Sequence, residues 1–273
     1  MNKIKYLVQF IIIIILFLLF RLLGLKYSQI LSKKIFEFIG PYFRKNKITD
    51  NNLKKAITNS SKSQRSEIIK KMWSNYGKIF AEYLFIKDFR NNPKFTKKIY
   101  IENIEELEKV KKGQKPVIFV SGHFNNFELM AMQIEKSGIK CAAIYRPLNN
   151  PYLNKIMEKI RKRDICKYQI KKGRAGTREI ISHISKGNSI ALMIDQRVRE
   201  GEKVAFFKNL ATTTTIPAQL IKKYQFELVP IYIERKEKFN FKMYVSKPIK
   251  INKNKSINEI TLYINKILER MIL

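Results

Sequence analysis

The spacing of apolar positions changes along the chain, and each change predicts a different kind of element. From Tyr6 to Leu25 the residues are almost all apolar, with Gln9 and Arg21 as the only strongly polar side chains. A helix of this length reaches about 30 Å, one hydrocarbon thickness, so the run is long enough to span a bilayer. A second apolar stripe follows at Ile30, Leu31, Ile35, Phe36, Phe38 and Ile39. It fits either an amphipathic helix over 30–43 lying at the membrane interface or an ordinary core helix. From Asn51 to about Phe89, apolar residues such as Ile69, Met72, Trp73, Tyr76 and Phe80 recur at spacings of three and four, which predicts a helical lead-in.

After Pro93 the pattern alternates. Short apolar runs at 117–120, 141–145, 189–194, 228–233 and 241–245 predict strands, and amphipathic stretches at 127–136, 151–163, 177–185, 217–224 and 257–272 predict helices. Such alternation predicts an α/β fold with a mostly parallel central sheet flanked by helices. The expected organisation is an anchor over 1–25, an interfacial and helical lead-in over 26–92, and an α/β domain over 93–273.

Composition sharpens this picture in a few places. Hydrophobic residues make up 45% of the 273, enough for a core, and 55 Lys+Arg against 22 Asp+Glu give a formal charge of +33. That balance favours anionic partners. Nucleic acid is an unpromising one, because the basic residues are scattered through every element and no recognised nucleic-acid motif accompanies them. Two cysteines, Cys141 and Cys166, and two histidines exclude a disulfide scaffold and a zinc constellation, and point to a reducing compartment. Arg21 lies near the end of the apolar run, where its stem can snorkel to the headgroups. No small-x-small cleavage site follows, so a retained anchor is expected rather than a signal peptide. Lys26, Lys33, Lys34, Arg44, Lys45 and Lys47, with Glu37 the only acid among them, place the C-terminal bulk on the cytoplasmic side by the positive-inside rule.

The candidate chemistry lies at strand ends. In a parallel sheet the loops at the carboxyl ends share one edge, and there the sequence puts Ser121-Gly122-His123, Arg146 and Asp195. His123 is followed five positions later by Glu128. With His123 on the loop and Glu128 in the next helix's first turn, the carboxylate can bond one imidazole nitrogen and strengthen the other as a base, a device suited to deprotonating a hydroxyl. The alternative is structural, with His123 capping a turn and Glu128 favouring the helix N-terminus through the dipole. A Ser121 nucleophile is disfavoured, because the Gly-x-Ser-x-Gly elbow is absent.

The blocks Gly122-His123-Phe124-Asn125-Asn126-Phe127-Glu128, Tyr145-Arg146-Pro147-Leu148-Asn149-Asn150, Asp195-Gln196, Phe206-Phe207 and Ala211-Thr212 come in an order that resembles the lysophospholipid acyltransferase-like superfamily. More narrowly, they resemble the bacterial lipid A biosynthesis (lauroyl/myristoyl) acyltransferases. The resemblance implies a membrane-anchored α/β enzyme of the bacterial inner membrane. It would move a fatty acyl chain from an acyl carrier protein or coenzyme A thioester to a hydroxyl of a lipid A precursor, with no cofactor and no metal. It further implies His123 as general base with Glu128 as its orienting partner, and functional roles for Arg161 and Asp195. Arg146 or Arg161 would hold an acceptor phosphate. On the residues alone, Arg161 equally fits a solvated helix face, Asp195 a turn cap and Arg146 a structural ion pair. The acceptor also remains open to a lysophospholipid or another glycolipid.

Overall fold

The computed structural model describes residues 2–198 and 201–273. They fold into two compact units, 1–88 and 89–273.

In the first unit, helix α1 (Asn2–Phe43) is broken at Gly24, whose φ of 71° and ψ of 170° leave helical space. Glycine bears such a positive φ without a Cβ penalty. The Ser28 hydroxyl lies 2.6 Å from the Phe20 carbonyl and 2.7 Å from that of Gly24, where its proton serves the acceptors loosened by the break. Residues 3–42 form the one helix among the described residues that is long and apolar enough to cross a membrane. Its cation is not left to solvent alone: Arg21 Nη1 lies 2.6 Å from Asp88 Oδ2, and the guanidinium sits over the Phe85 ring at 5.1 Å. Helices α2 (Asn46–Ala56) and α3 (Lys62–Glu82) follow. The latter starts at a capping box in which Ser61 and Gln64 each bond the other's backbone N–H.

Short helices α4 (Ile86–Asn91) and α5 (Pro93–Thr96) lead into the second unit. Its strands are β1 (Ile99–Glu102), β2 (Val117–Ser121), β3 (Cys141–Tyr145), β4 (Tyr168–Lys171), β5 (Ser189–Met193), β6 (Glu202–Phe206), β7 (Asn209–Thr213), β8 (Glu227–Arg235) and β9 (Phe241–Val245). Between them run α6 (Ile104–Gly113), α7 (Glu128–Lys136), α8 (Pro151–Ile160), α9 (Arg174–Ser185) and α10 (Ile216–Tyr224), and α11 (Ile257–Ile272) closes the chain. Seven strands form one sheet in the order β1-β9-β8-β2-β5-β3-β4. Every pairing in it is parallel except β8 with β9, which gives the mixed α/β architecture that the alternation predicts. β6 and β7 stand apart as an antiparallel hairpin.

β1 and β4, which the periodicity does not reveal, are the two edges of the sheet. Each has four residues, β1 mostly half-buried and β4 exposed at both ends, so neither carries the continuous apolar run of a buried strand. The helix predicted over 151–163 ends at Ile160 and passes into a π turn, Arg161–Ile165.

The two faces of the sheet are filled differently. On one, Ile118, Val120, Ile190, Leu192 and Leu228 pack with Ile180 and Ile184 of α9, Ile221 of α10, and Ile260, Ile264 and Leu268 of α11, all buried. On the other, β2, β5 and β3 present Phe119, Ala191 and Ala143 in register, toward α7 and the end of α8. Two alanines side by side leave this face hollow.

Candidate active site

The hollow opens at the carboxyl ends of the strands as a cavity of about 390 Å³. Its volume lies within the ordinary range of small-molecule pockets, about 300–1,000 Å³. The inner wall is apolar, with Phe119, Met130, Ala131, Ala143, Ala191, Met193 and Ile231. Polar and charged side chains also line the cavity, with Arg146 exposed at the mouth and His123, Glu128, Arg161, Lys172 and Gln196 around it.

His123 leaves β2 on a tight loop in which Phe124 N–H bonds the Gly122 carbonyl at 2.8 Å. Asn125 takes a φ of 41°, and its side-chain amide donates to the Ile233 carbonyl at 3.2 Å. The neighbouring β5 continues its ladder through Ile194 N–H, which bonds the Ser121 carbonyl at 2.9 Å. The next residue, Asp195, therefore lies beside His123. One carboxylate oxygen, Oδ2, accepts the His123 backbone N–H at 2.9 Å, and the other, Oδ1, is 2.6 Å from imidazole Nδ1. A carboxylate at that distance accepts from Nδ1 and leaves Nε2 on the cavity side. Burial pushes the Asp195 carboxyl upward, yet the hydrogen bonds and charge of His123 outweigh it and hold the group below its ordinary value. Phe127 packs edge-on to the imidazole at 4.7 Å, and Gln196 Nε2 lies 3.5 Å from Nε2 of the ring.

Glu128 opens α7 but does not reach the imidazole. Its carboxylate accepts from Nε of Arg161 at 2.9 Å and from Nη2 of the same guanidinium. The expectation that Glu128 bonds a ring nitrogen is thus corrected: Nδ1 is taken by Asp195, and a carboxylate only 9% exposed needs a full counter-charge close by. The solvated-face reading of Arg161 is corrected too, since its side chain is 11% exposed and lies over the Tyr145 ring at 5.3 Å. The π turn sets it there, closed by Cys166 N–H bonding the Arg161 carbonyl at 2.9 Å. Both oxygens of Asp195 serve His123.

Arg146 is exposed at the mouth and has no ion pair among the described residues. Ser121 is buried, with its hydroxyl toward the Gly122 carbonyl and Met130 Sδ. The Tyr145 hydroxyl donates to Glu158 at 2.6 Å. Burial and that acidic neighbour push the phenol well up, whereas the same bond, with Lys171 and Asn154, holds the Glu158 carboxyl at about 2.

Lys172 is the cavity residue that sequence reasoning missed. It follows β4, and its backbone N–H bonds the Tyr145 carbonyl at 2.8 Å. Burial, the largest influence, and Arg146 lower its pKa, while Asp195 pulls the other way. The strand-end argument that finds Arg146 and Asp195 would have found it, had the short polar edge strand been legible.

Among known proteins, the whole chain, residues 1–273, matches the family model described as bacterial lipid A biosynthesis acyltransferase. The chain belongs to that family. It is also 23% identical over 154 residues to lipid A biosynthesis acyltransferase 2 of Shigella flexneri, a match covering 56% of this chain and 48% of that relative. The match thus spans about half the length of that curated relative.

Proposed function

We propose that the protein is a membrane-bound acyltransferase that carries a fatty acyl chain from a thioester of acyl carrier protein or coenzyme A to a hydroxyl of a lipid A precursor. The single observation that carries this reading is His123 Nδ1 at 2.6 Å from Asp195, with its other nitrogen on a cavity that is apolar within and cationic at its mouth. An acyl chain suits the apolar wall. An anionic lipid acceptor and a phosphate-bearing or acidic donor suit Arg146, Arg161 and Lys172.

In this mechanism His123 Nε2 removes the proton of the acceptor hydroxyl, and the oxygen attacks the thioester carbonyl carbon. The tetrahedral oxyanion takes hydrogen bonds from the Gln196 amide and Lys172. Its collapse breaks the carbon–sulfur bond, and the imidazolium returns the proton to the leaving thiolate, giving an ester and a free thiol. Asp195 fixes the tautomer and steadies the imidazolium. Glu128 acts at one remove by holding Arg161 at the mouth. No cofactor or metal enters any step.

The apolar run of α1 anchors the protein in the bacterial inner membrane as a single pass. The lysines and arginines that follow keep the catalytic unit on the cytoplasmic side. The test is acyl transfer by the purified full-length protein in detergent, with acyl carrier protein or coenzyme A thioesters, read by thiol release and by mass spectrometry of lipid A precursor, lysophospholipid and glycolipid acceptors. Transfer to the lipid A precursor that vanishes in His123→Ala and Asp195→Asn supports the reading. Comparable turnover by His123→Ala overturns it.

A further inference from the structure

In the half of α1 beyond Gly24, Leu31, Ile35, Phe36 and Ile39 are half-buried, with Phe36 against Phe80 of α3 at 5.3 Å, but the most deeply buried positions are mostly polar or small. The side chains that it buries are Ser28, Gln29 and Ser32, at 0, 2 and 0% exposure, together with Leu25 and Gly40. Those that it leaves outside include Tyr27, Ile30, Phe38 and Tyr42, with Phe38 at 73% and Tyr42 at 83%. A helix surrounded by water alone would not leave a second apolar and aromatic stripe exposed while burying its serines.

The contact with α3 explains the buried stripe. Ser32 Oγ donates to the Gly77 carbonyl at 2.7 Å, and Gln29 Nε2 donates to Glu82 Oε1. A Cβ on Gly77 would meet the Ser32 carbonyl oxygen at 2.4 Å, and one on Gly40 would meet the Trp73 ring at 2.3 Å, so both positions are closed to larger residues. Close backbone approach through small residues with polar interhelical bonds is a mode of helix pairing common in membranes, and here it stands beside the Phe36–Phe80 contact.

The outer stripe is set among cations. Lys26 lies over the Tyr27 ring at 5.6 Å, Phe38 and Tyr42 pack at 6.4 Å, and Lys33, Lys34, Arg44, Lys45 and Lys47 flank or follow them. Glu37, the only acid in this stretch, is 3.8 Å from Lys33. By contrast, the outer surface of α3 is mostly polar, with Lys62, Gln64, Glu67, Lys70 and Lys71 exposed beside Tyr76.

We infer that residues 25–43 form a second membrane element, lying in the headgroup layer of an anionic phospholipid bilayer with Tyr27, Ile30, Phe38 and Tyr42 toward the acyl chains and α3 on the water side. The stripe is continuous in sequence with the apolar run before Gly24, and its lysines complement an anionic surface. The inference rests on the membrane placement proposed above but asks for more than an anchor.

The native thiols are 2 and 1% exposed, so a cysteine added at an exposed site can be labelled selectively. Full-length Phe38→Cys, Tyr42→Cys and, as control, Glu67→Cys are labelled with an environment-sensitive fluorophore. They are then reconstituted into vesicles of phosphatidylethanolamine and phosphatidylglycerol. Labels at 38 and 42 are expected to be quenched several-fold more by spin-labelled lipid, and several-fold less by aqueous acrylamide, than the label at 67. Labels at 38 and 42 as open to acrylamide as that at 67, in protein that floats with the vesicles, overturn the inference and leave the anchor standing. Protein that does not float with vesicles overturns both. Lipid quenching that is unchanged when phosphatidylcholine replaces both lipids overturns the anionic requirement.

Discussion

Ile190 and Ala191 are neighbours on one strand and belong to different worlds. Ile190 points into a face filled by branched side chains of three helices, and Ala191 faces a cavity beside Ala143. The packed face derives its stability from close contact, so each lost methylene there costs both transfer free energy and a void. The hollow face forgoes that contact and keeps space for a substrate. One sheet thus separates the face that holds the fold together from the face where the proposed mechanism runs, and the alternation of side chains along β5 makes the separation possible.

Substitutions at the cavity mouth test this division most severely. His123→Ala is expected to lower acyl transfer by about 10²–10⁴, the usual worth of a general base, in protein that still folds. Asp195→Asn should fall in the same range. Equal activity in either, measured as initial rates of thiol release, would detach the chemistry from the hollow face. Next in size, Arg161→Met leaves Glu128 buried without its counter-charge, at a cost of about 3–5 kcal/mol in unfolding free energy. Adding Glu128→Gln should restore part of that loss, and a double variant no more stable than the single would refute the pairing.

On the packed face, Ile190→Ala should cost about 2–5 kcal/mol and leave the length of the transferred chain unaltered. Ala191→Leu, one position later, should change stability little and shorten the preferred acyl chain in mass spectra of the product. A reversal of these two outcomes would break the comparison. The smallest effect concerns pH. Because folding lowers the Asp195 carboxyl below its ordinary 3.8, its bond to His123 stabilises the fold above that value and fades as pH falls through the lowered one. The wild type should therefore melt above Asp195→Asn at neutral pH, by a margin that closes in acid.

Much of this was legible in the residues. The strands over 117–121, 141–145 and 189–193 announce themselves by apolar runs, and the polar residue after each marks one sheet edge, which is how His123, Arg146 and Asp195 stand out together. The partner of the imidazole was not legible. Glu128 is five positions away and Asp195 is 72, but separation along the chain does not measure distance across a sheet. What decides it is that β5 inserts between β2 and β3, and strand order depends on how the helices pack rather than on any local pattern. Lys172 was hidden for a different reason, because its strand is an edge too short and polar to show a period. The polar buried stripe of 25–43 escapes a rule that assigns apolar residues to the inside, since that rule presumes water on the outside.

The π turn after α8 amounts to one spare residue in an otherwise regular helix, and that surplus acts as a spacer. Removing one residue between 162 and 164 would let ordinary four-residue bonding resume while sliding the preceding helix by about 1.5 Å and turning it through about 100° against β4. The backbone would become more ideal, and the guanidinium of Arg161 would swing off Glu128. Local regularity and the geometry of the entrance are therefore in opposition here.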